Sequence, residues 1–487
     1  MNRKFSLFFL FIALFFVETA ESTVIERCSQ CERMFSLKEL THGNPAKLIF
    51  FFTIPLLIGN IFQQFYNMAD MIIVGQTLGK DALAAVGSTG SITFLIIGFA
   101  QGLTAGLSIL TSQRFGGQDY RGVKKSFATG IMISGIVTIV LTALSLIFVR
   151  PMLLLMQTPA EIIDDAQVFI SIIFIGIFAA MAFNLLSNVI RALGDSRTPL
   201  LFLIIASIIN VVLDLILIIN FHMGVAGAGV ATVTAQIISS LLCVVYIRWK
   251  IPNLQLRKKD FSIDKQEFRA HLNIALPMAF QSSIIAIGAI ILQAALNSLG
   301  TDVVAAQAAS GKIEQFATQP MMSFGIAMAT FTAQNYGAKK YKRILQGVNQ
   351  CLVMSIGFSL LAGGIVVLFG QNLVTLFVSA KETEVLNLSQ IYFNVNGSMY
   401  WLLAILFIIR YTLQGLGQSV IPTIAGIMEL IMRSFAAIIL TASLGFVGAA
   451  LASPLAWAGS VIVLLASYFK AIKRLKHLEQ EQLTGRL

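Results

Sequence analysis

The run LLFLIIASIINVVLDLILIIN, residues 200–220, is long and apolar enough to cross a bilayer, yet it carries the polar side chains Ser207, Asn210 and Asp214. Spacings of three and four residues place all of them on one face of a helix. A carboxylate at that depth costs roughly 2.5 to 3.5 kcal/mol to insert, and lipid offers it no hydrogen-bond partner. The face must therefore look at protein or at a water-filled cavity, and an acid so placed marks a functional site.

The composition is that of a protein that uses lipid as solvent. Of 487 residues, 57% are hydrophobic and only 12% are charged, too few polar groups to cover a water-facing surface. This excludes most soluble classes and indicates a polytopic membrane protein. Cys28, Cys31, Cys243 and Cys351 are too scattered for a disulfide framework or a metal cage. His42, His222, His271 and His477 all fall at or beyond the ends of apolar runs, so no buried zinc site is expected.

At the N-terminus, Arg3 and Lys4 precede an apolar run from Phe5 to Val17 that is too short to span and resembles a signal-peptide core. The following Cys28-x-x-Cys31 has no second pair and reads as incidental. Residues 1–33 are expected to be an extension, signal-like or upstream of a natural start at Met34. From Lys47 onward the apolar runs read as helices over about 48–74, 86–112, 127–149, 166–190, 199–220 and 225–248, then 272–299, 304–332, 347–370, 389–412, 420–443 and 446–470. The expected organisation is an all-α protein of twelve transmembrane helices: an N-lobe over 34–248, a basic linker over 249–270, a C-lobe over 271–470 and a tail over 471–487.

Charge orients it. Arg114, Arg121, Lys124 and Lys125 follow the second run. Lys250, Arg257, Lys258, Lys259, Lys265 and Arg269 lie in the linker, and Lys339, Lys340, Lys342 and Arg343 follow the eighth run. With Lys470, Lys473, Arg474 and Lys476 at the end, and few positive residues in the alternate loops, the positive-inside rule puts both termini and the linker in the cytoplasm. This accounts for the formal charge of +11 through lipid headgroups and solvent, with no nucleic-acid partner.

The two halves repeat one another. Leu78-Gly79-Lys80-Asp81 recurs 221 residues on as Leu299-Gly300-Thr301-Asp302, and Gln113-x-x-Gly116 with the same offset as Gln334-x-x-Gly337. The turn Leu193-Gly194-x-Ser196 before Pro199 reappears as Leu416-Gly417-x-Ser419 before Pro422, and Gly224-x-x-Gly227-Ala228 as Gly445-x-x-Gly448-Ala449. An even number of helices per half keeps both copies in the same orientation, a parallel repeat with its axis along the membrane normal.

Counting rise per residue, Asp214 lies about 9 Å, Asp70 about 6 to 9 Å and Thr232 about 12 Å inside the outer ends of their helices, a common level. The first helix adds a polar stripe of Asn60, Gln63 or Gln64, Asn67 and Asp70. Two carboxylates brought together in low dielectric cannot both ionise without a cation between them, so the group is expected to hold H⁺ or Na⁺, with carboxylate, amide and hydroxyl oxygens as ligands. Ser207 is expected beside this cavity, and Glu314 and Gln315 are candidate liners in the C-lobe. Glu429 and Arg433, four apart with the acid first, read as a structural ion pair.

The run from Ile54-Pro55 through Asn67-x-x-Asp70 and Val74-Gly75, together with Ala84-Ala85-Val86-Gly87, Gln113-x-x-Gly116, Asn210-x-x-x-Asp214 and Gly224-x-x-Gly227-Ala228-x-x-x-Thr232, resembles the multidrug and toxic compound extrusion (MATE) transporters, most of all their bacterial branch near the DNA-damage-inducible F proteins. The resemblance covers roughly residues 40–470. It implies export of small organic, often cationic, compounds across a bacterial inner (plasma) membrane in exchange for H⁺ or Na⁺, by alternating access and as a monomer. It also implies a cation site at the positions of Asp70, Asn210, Asp214 and Thr232. Another branch carries an acid on the seventh helix; 272–299 has none, which argues against a C-lobe cation site of that kind. A lipid-linked glycan flippase of related architecture is the alternative, but too few arginines converge for a pyrophosphate. No nucleophile–base pair, metal motif or phosphate loop suggests an enzyme, and nothing resembles a channel filter.

Overall fold

The computed structural model describes residues 39–484. The expectations for the signal-like run, Cys28, Cys31 and a start at Met34 lie outside the described residues. Among the described residues the chain forms helices joined by short turns: α1 (Pro45–Leu78), α2 (Lys80–Gly116, with a break at Thr89), α3 (Tyr120–Leu155), α4 (Ile163–Ile175 and Ile177–Ala192), α5 (Arg197–Asn220) and α6 (Gly224–Lys250). The second half repeats the series as α7 (Lys265–Asn297), α8 (Thr301–Gly337), α9 (Tyr341–Val374), α10 (Thr383–Gly397 and Tyr400–Gly415), α11 (Val420–Leu444) and α12 (Phe446–Leu483). By length and composition nine single helices and the bent pairs α4 and α10 can each cross a membrane. The exception is α8, equal in length to its repeat partner α2 but carrying Asp302, Lys312 and Glu314.

The architecture is the expected all-α bundle of two six-helix lobes, with longer helices than hydropathy marks because polar first and last turns continue past the apolar stretch. Thus α7 begins at Lys265, inside the expected linker 249–270, and α12 runs to Leu483, into the expected tail. Asp264 starts α7 by accepting from the backbone N–H of Gln266 at 2.9 Å and of Glu267. Its carboxyl is held below the ordinary carboxylate range, first by Lys125, whose Nζ lies 2.6 Å away, and by those backbone donors. The linker between is short and contains two single turns, Pro252–Leu254 and Lys258–Asp260.

The repeat extends to backbone detail that no motif announces. α4 and α10 bend by 45° and 47° at equivalent places, and α5 and α11 each widen into a π turn, Ile216–Asn220 and Ala436–Leu440. Positive φ angles recur in pairs: Gly79 with Gly300, Gly194 with Gly417, Gly224 with Gly445, and Gln118 with Lys339.

The first helix of each half packs along the second helix of the other, α7 on α2 and α1 on α8. Small residues permit this. A Cβ at Gly106 of α2 would stand 2.5 Å from the Cα of Ala275 on α7, and one at Gly102 would stand 2.4 Å from the Met278 carbonyl oxygen. On the side bearing the basic loops the two Gln-x-x-Gly motifs meet. A Cβ at Gly116 would fall 2.0 Å from the Gln334 carbonyl oxygen, and one at Gly337 would fall 1.7 Å from that of Gln113. Gln113 donates across to the Gly415 carbonyl at 2.9 Å and Gln334 to the Ala192 carbonyl at 2.8 Å. Segment 39–43 docks on Gln334, Asn335, Lys340 and Arg343 of the other half, while Glu267 of α7 reaches Arg114 at 2.7 Å. His271, expected at a helix end, is instead wholly buried in α7 and bonded to Ser126 of α3 at 2.7 Å.

Inside the C-lobe the expected Glu429–Arg433 pair does not form. Glu429 pairs with Arg410 of α10, which also donates to Ser460 of α12 at 3.2 Å. Spacing within one helix permits a pair, but a guanidinium from the neighbouring helix reaches the buried carboxylate, and Arg433 turns towards α7. Breaking a buried pair while leaving its partner costs about 3–5 kcal/mol. Glu429→Ala should therefore lower the thermal midpoint in detergent strongly, and adding Arg410→Met should recover part of the loss; simple additivity would refute the pairing. Gly337→Ala should hold the basic-loop sides apart. A cysteine replacing fully buried Ala333 in a background without other cysteines should then become maleimide-reactive, and continued protection would show that the close approach is dispensable.

Candidate functional site

The four residues singled out by spacing come together. On α5, the inward stripe of Phe202, Ala206, Asn210 and Asp214 is buried, and Asn210 and Asp214 are at 0% exposure. Asn210 donates from Nδ2 to the Thr232 hydroxyl of α6 at 3.4 Å. On α1, Asp70 is an electrostatic neighbour of Asp214. The common depth counted along separate helices is thus proximity in space.

Sequence reasoning passed over one member. Tyr66 stands a turn before Asp70 on the same face of α1, donates to the Thr232 hydroxyl at 3.3 Å and is electrostatically close to both carboxyls. The four-residue spacing from Asp70 was visible on that polar helix, but spacing alone does not show that the hydroxyl of Tyr66 reaches Thr232.

The acceptors outnumber the donors. Oδ1 of Asp70, both carboxyl oxygens of Asp214 and Oδ1 of Asn210 are buried without a hydrogen-bond partner. Four such oxygens in a dry interior are costly unless something positive sits among them. With the Thr232 hydroxyl they form a set of hard oxygens suited to a proton or Na⁺ and unsuited to softer metals. Among the described residues no cluster of His, Cys, Asp and Glu could hold another metal ion.

The other candidates divide. Asn60 crosses to the other half, donating to the Ser323 hydroxyl at 3.1 Å. Gln63 and Asn67 are exposed and Gln64 half-buried, so the stripe down α1 is open rather than packed. Ser207 returns its hydroxyl to the Leu203 carbonyl of its own helix at 2.8 Å and takes no part in the acid group. Glu314 accepts from the Tyr392 hydroxyl of α10, while its Oε1 is buried without a partner; Gln315 beside it is half-buried.

The MatE family profile matches residues 55–216 and 277–448, which is most of both halves and respects the repeat boundary. The chain is 27% identical over 390 residues to the probable multidrug resistance protein YoeA of Bacillus subtilis, covering 78% of this chain and 83% of that protein. It is 25% identical to a FAD transporter of Shewanella oneidensis, covering 78% and 84% respectively. A solved outward-facing MATE family transporter superposes with a TM-score of 0.84 at 23% identity, over 90% of this chain and 98% of the other. Repeat, bundle and matched segments agree, and the chain belongs to the MatE family, the multidrug and toxic compound extrusion transporters.

Proposed function

We propose that this multi-pass membrane protein is a cation-coupled exporter of small organic, often cationic, compounds that exchanges them for H⁺ or Na⁺ by alternating access. The observation that carries this reading is the juxtaposition of Asp70 and Asp214 with four unpartnered buried oxygens. A bound cation neutralises that group and lets α1, α5 and α6 pack together; a cationic cargo competes for the same negative field. The names of relatives, a probable multidrug resistance protein among them, favour export, and the FAD transporter warns that cargo varies within the family. Close packing at the basic-loop side gives one closed gate, and rocking of the lobes about the α2–α7 and α1–α8 contacts would open it. The loop charges favour a bacterial inner (plasma) membrane with both termini cytoplasmic.

Asp214→Asn keeps size and much of the hydrogen bonding while removing the charge. The protein should insert and fold, yet lose uphill dye export in proteoliposomes under imposed pH or Na⁺ gradients. Dye binding should also lose its dependence on those cations, since an ion that no longer binds can no longer compete. Asp70→Asn should behave alike, and the double variant should be little worse than either single one. Near-normal uphill export by Asp214→Asn would return Asp214 to a structural role. For orientation, a cysteine at Lys258 should react only with reagent applied from the cytoplasmic side, and labelling from outside would invert the topology.

A further inference from the structure

The lobes share a fold but carry different charged groups along the same buried helix stripe. The prolines that open α5 and α11, Pro199 and Pro422, align the two helices, and the buried stripes agree: Phe202, Ala206, Asn210 and Asp214 correspond to Ala425, Glu429, Arg433 and Ala437. Where the N-lobe has an amide leading to a carboxylate, the C-lobe has a guanidinium leading to a methyl group. Arg433 is 8% exposed, and among the described residues it makes no hydrogen bond or ion pair. Its nitrogens are not sealed off either, unlike Nε of Arg410, which is buried without a partner.

Its surroundings are those of a recognition group rather than a strut. Gly288 of α7 makes room for it; a Cβ there would stand 3.1 Å from Nη1 and 3.4 Å from Cδ. Glu314 of α8, Tyr392 of α10 and the Arg410 guanidinium, itself paired with Glu429, are the charged and hydroxyl groups electrostatically near it. Glu314 accepts from the Tyr392 hydroxyl with one oxygen while its other is buried without a partner, and the carboxyl lies too far away to close an ion pair with Arg433. The other nearby acid, Glu429, is committed to Arg410. A cation nearly withdrawn from water, with its planar fork left open, is arranged to take an anionic oxygen pair.

We propose that Arg433 is an anion-recognising subsite inside the C-lobe, taking the carboxylate of amphoteric substrates. Glu314 tunes it, repelling an anion enough that the substrate is released rather than trapped. The inference rests on the export reading for its substrate class, and it is tested by binding, without any ion gradient.

The probes are rhodamine B, a cationic dye with a free carboxylate, and rhodamine 6G, a related cationic dye whose carboxyl is an ester. Fluorescence anisotropy on the full detergent-solubilised chain measures affinity for both. Arg433→Gln should lower the affinity ratio, acid over ester, by about tenfold or more, the loss of a charge-assisted hydrogen-bonded pair. Arg433→Lys, which keeps charge but not the fork, should fall between. Glu314→Gln should move the ratio the opposite way, which a merely structural role for Arg433 does not produce. Wild-type protein that binds the ester but not the acid would overturn the proposal. So would an unchanged ratio in Arg433→Gln and Arg433→Lys, or a fall of the ratio in Glu314→Gln. Failure of ion coupling would instead appear as absent uphill transport of both dyes, with the binding ratios intact.

Discussion

The structure depends on the absence of water around its middle. In hydrocarbon no backbone or side-chain polar group can borrow a partner from solvent, so each must be satisfied within the protein or held where a ligand satisfies it. Most are. Several serine and threonine hydroxyls return to carbonyls of their own helices, as Thr53 does to Ile49, Ser207 to Leu203 and Ser323 to Gln319. Among the buried atoms left without a partner, the oxygens of Asp70, Asn210 and Asp214 form a cluster of acceptors, and in the C-lobe the buried Arg433 makes no hydrogen bond among the described residues.

The same constraint shapes how the halves join. Two apolar lobes gain little from burying apolar surface against each other in lipid, so contact rests on close backbone approach and on hydrogen bonds. Glycines at 102, 106, 116 and 337 allow that approach, and Gln113 and Gln334 add reciprocal bonds to carbonyls of the opposite half. The exchange of first helices, α7 onto α2 and α1 onto α8, makes each lobe's entry segment part of the other's wall. The turns around Gln113 and Gln334 carry the hydrogen bonds that tie the halves together on the basic-loop side.

Duplication preserved the backbone and released the side chains. The matched bends, π turns and positive-φ positions follow from turns whose geometry the packing requires in both copies. The chemistry along α5 and α11 was free to diverge, because a side chain on the inner stripe answers to its own cavity. On α5 the stripe runs from Asn210 to Asp214, whereas on α11 Glu429 is paired with Arg410 and Arg433 makes no hydrogen bond among the described residues.

The fold was largely legible in the chain. Hydropathy placed the helices because a bilayer demands about twenty apolar residues per crossing, and recurring Gly-containing turns exposed the repeat. The acid site was legible for the same reason: a carboxylate cannot be incidental in lipid, and helical rise alone put Asp70, Asp214 and Thr232 at one depth. Partnerships between helices were not legible. Glu429 had a cation four residues away and took Arg410 from another helix, and nothing in the spacing of Tyr66 showed that its hydroxyl meets Thr232 of α6. Periodicity reports which face a residue occupies, whereas the azimuth and approach of the neighbouring helix decide what that face meets; those are properties of the packed bundle.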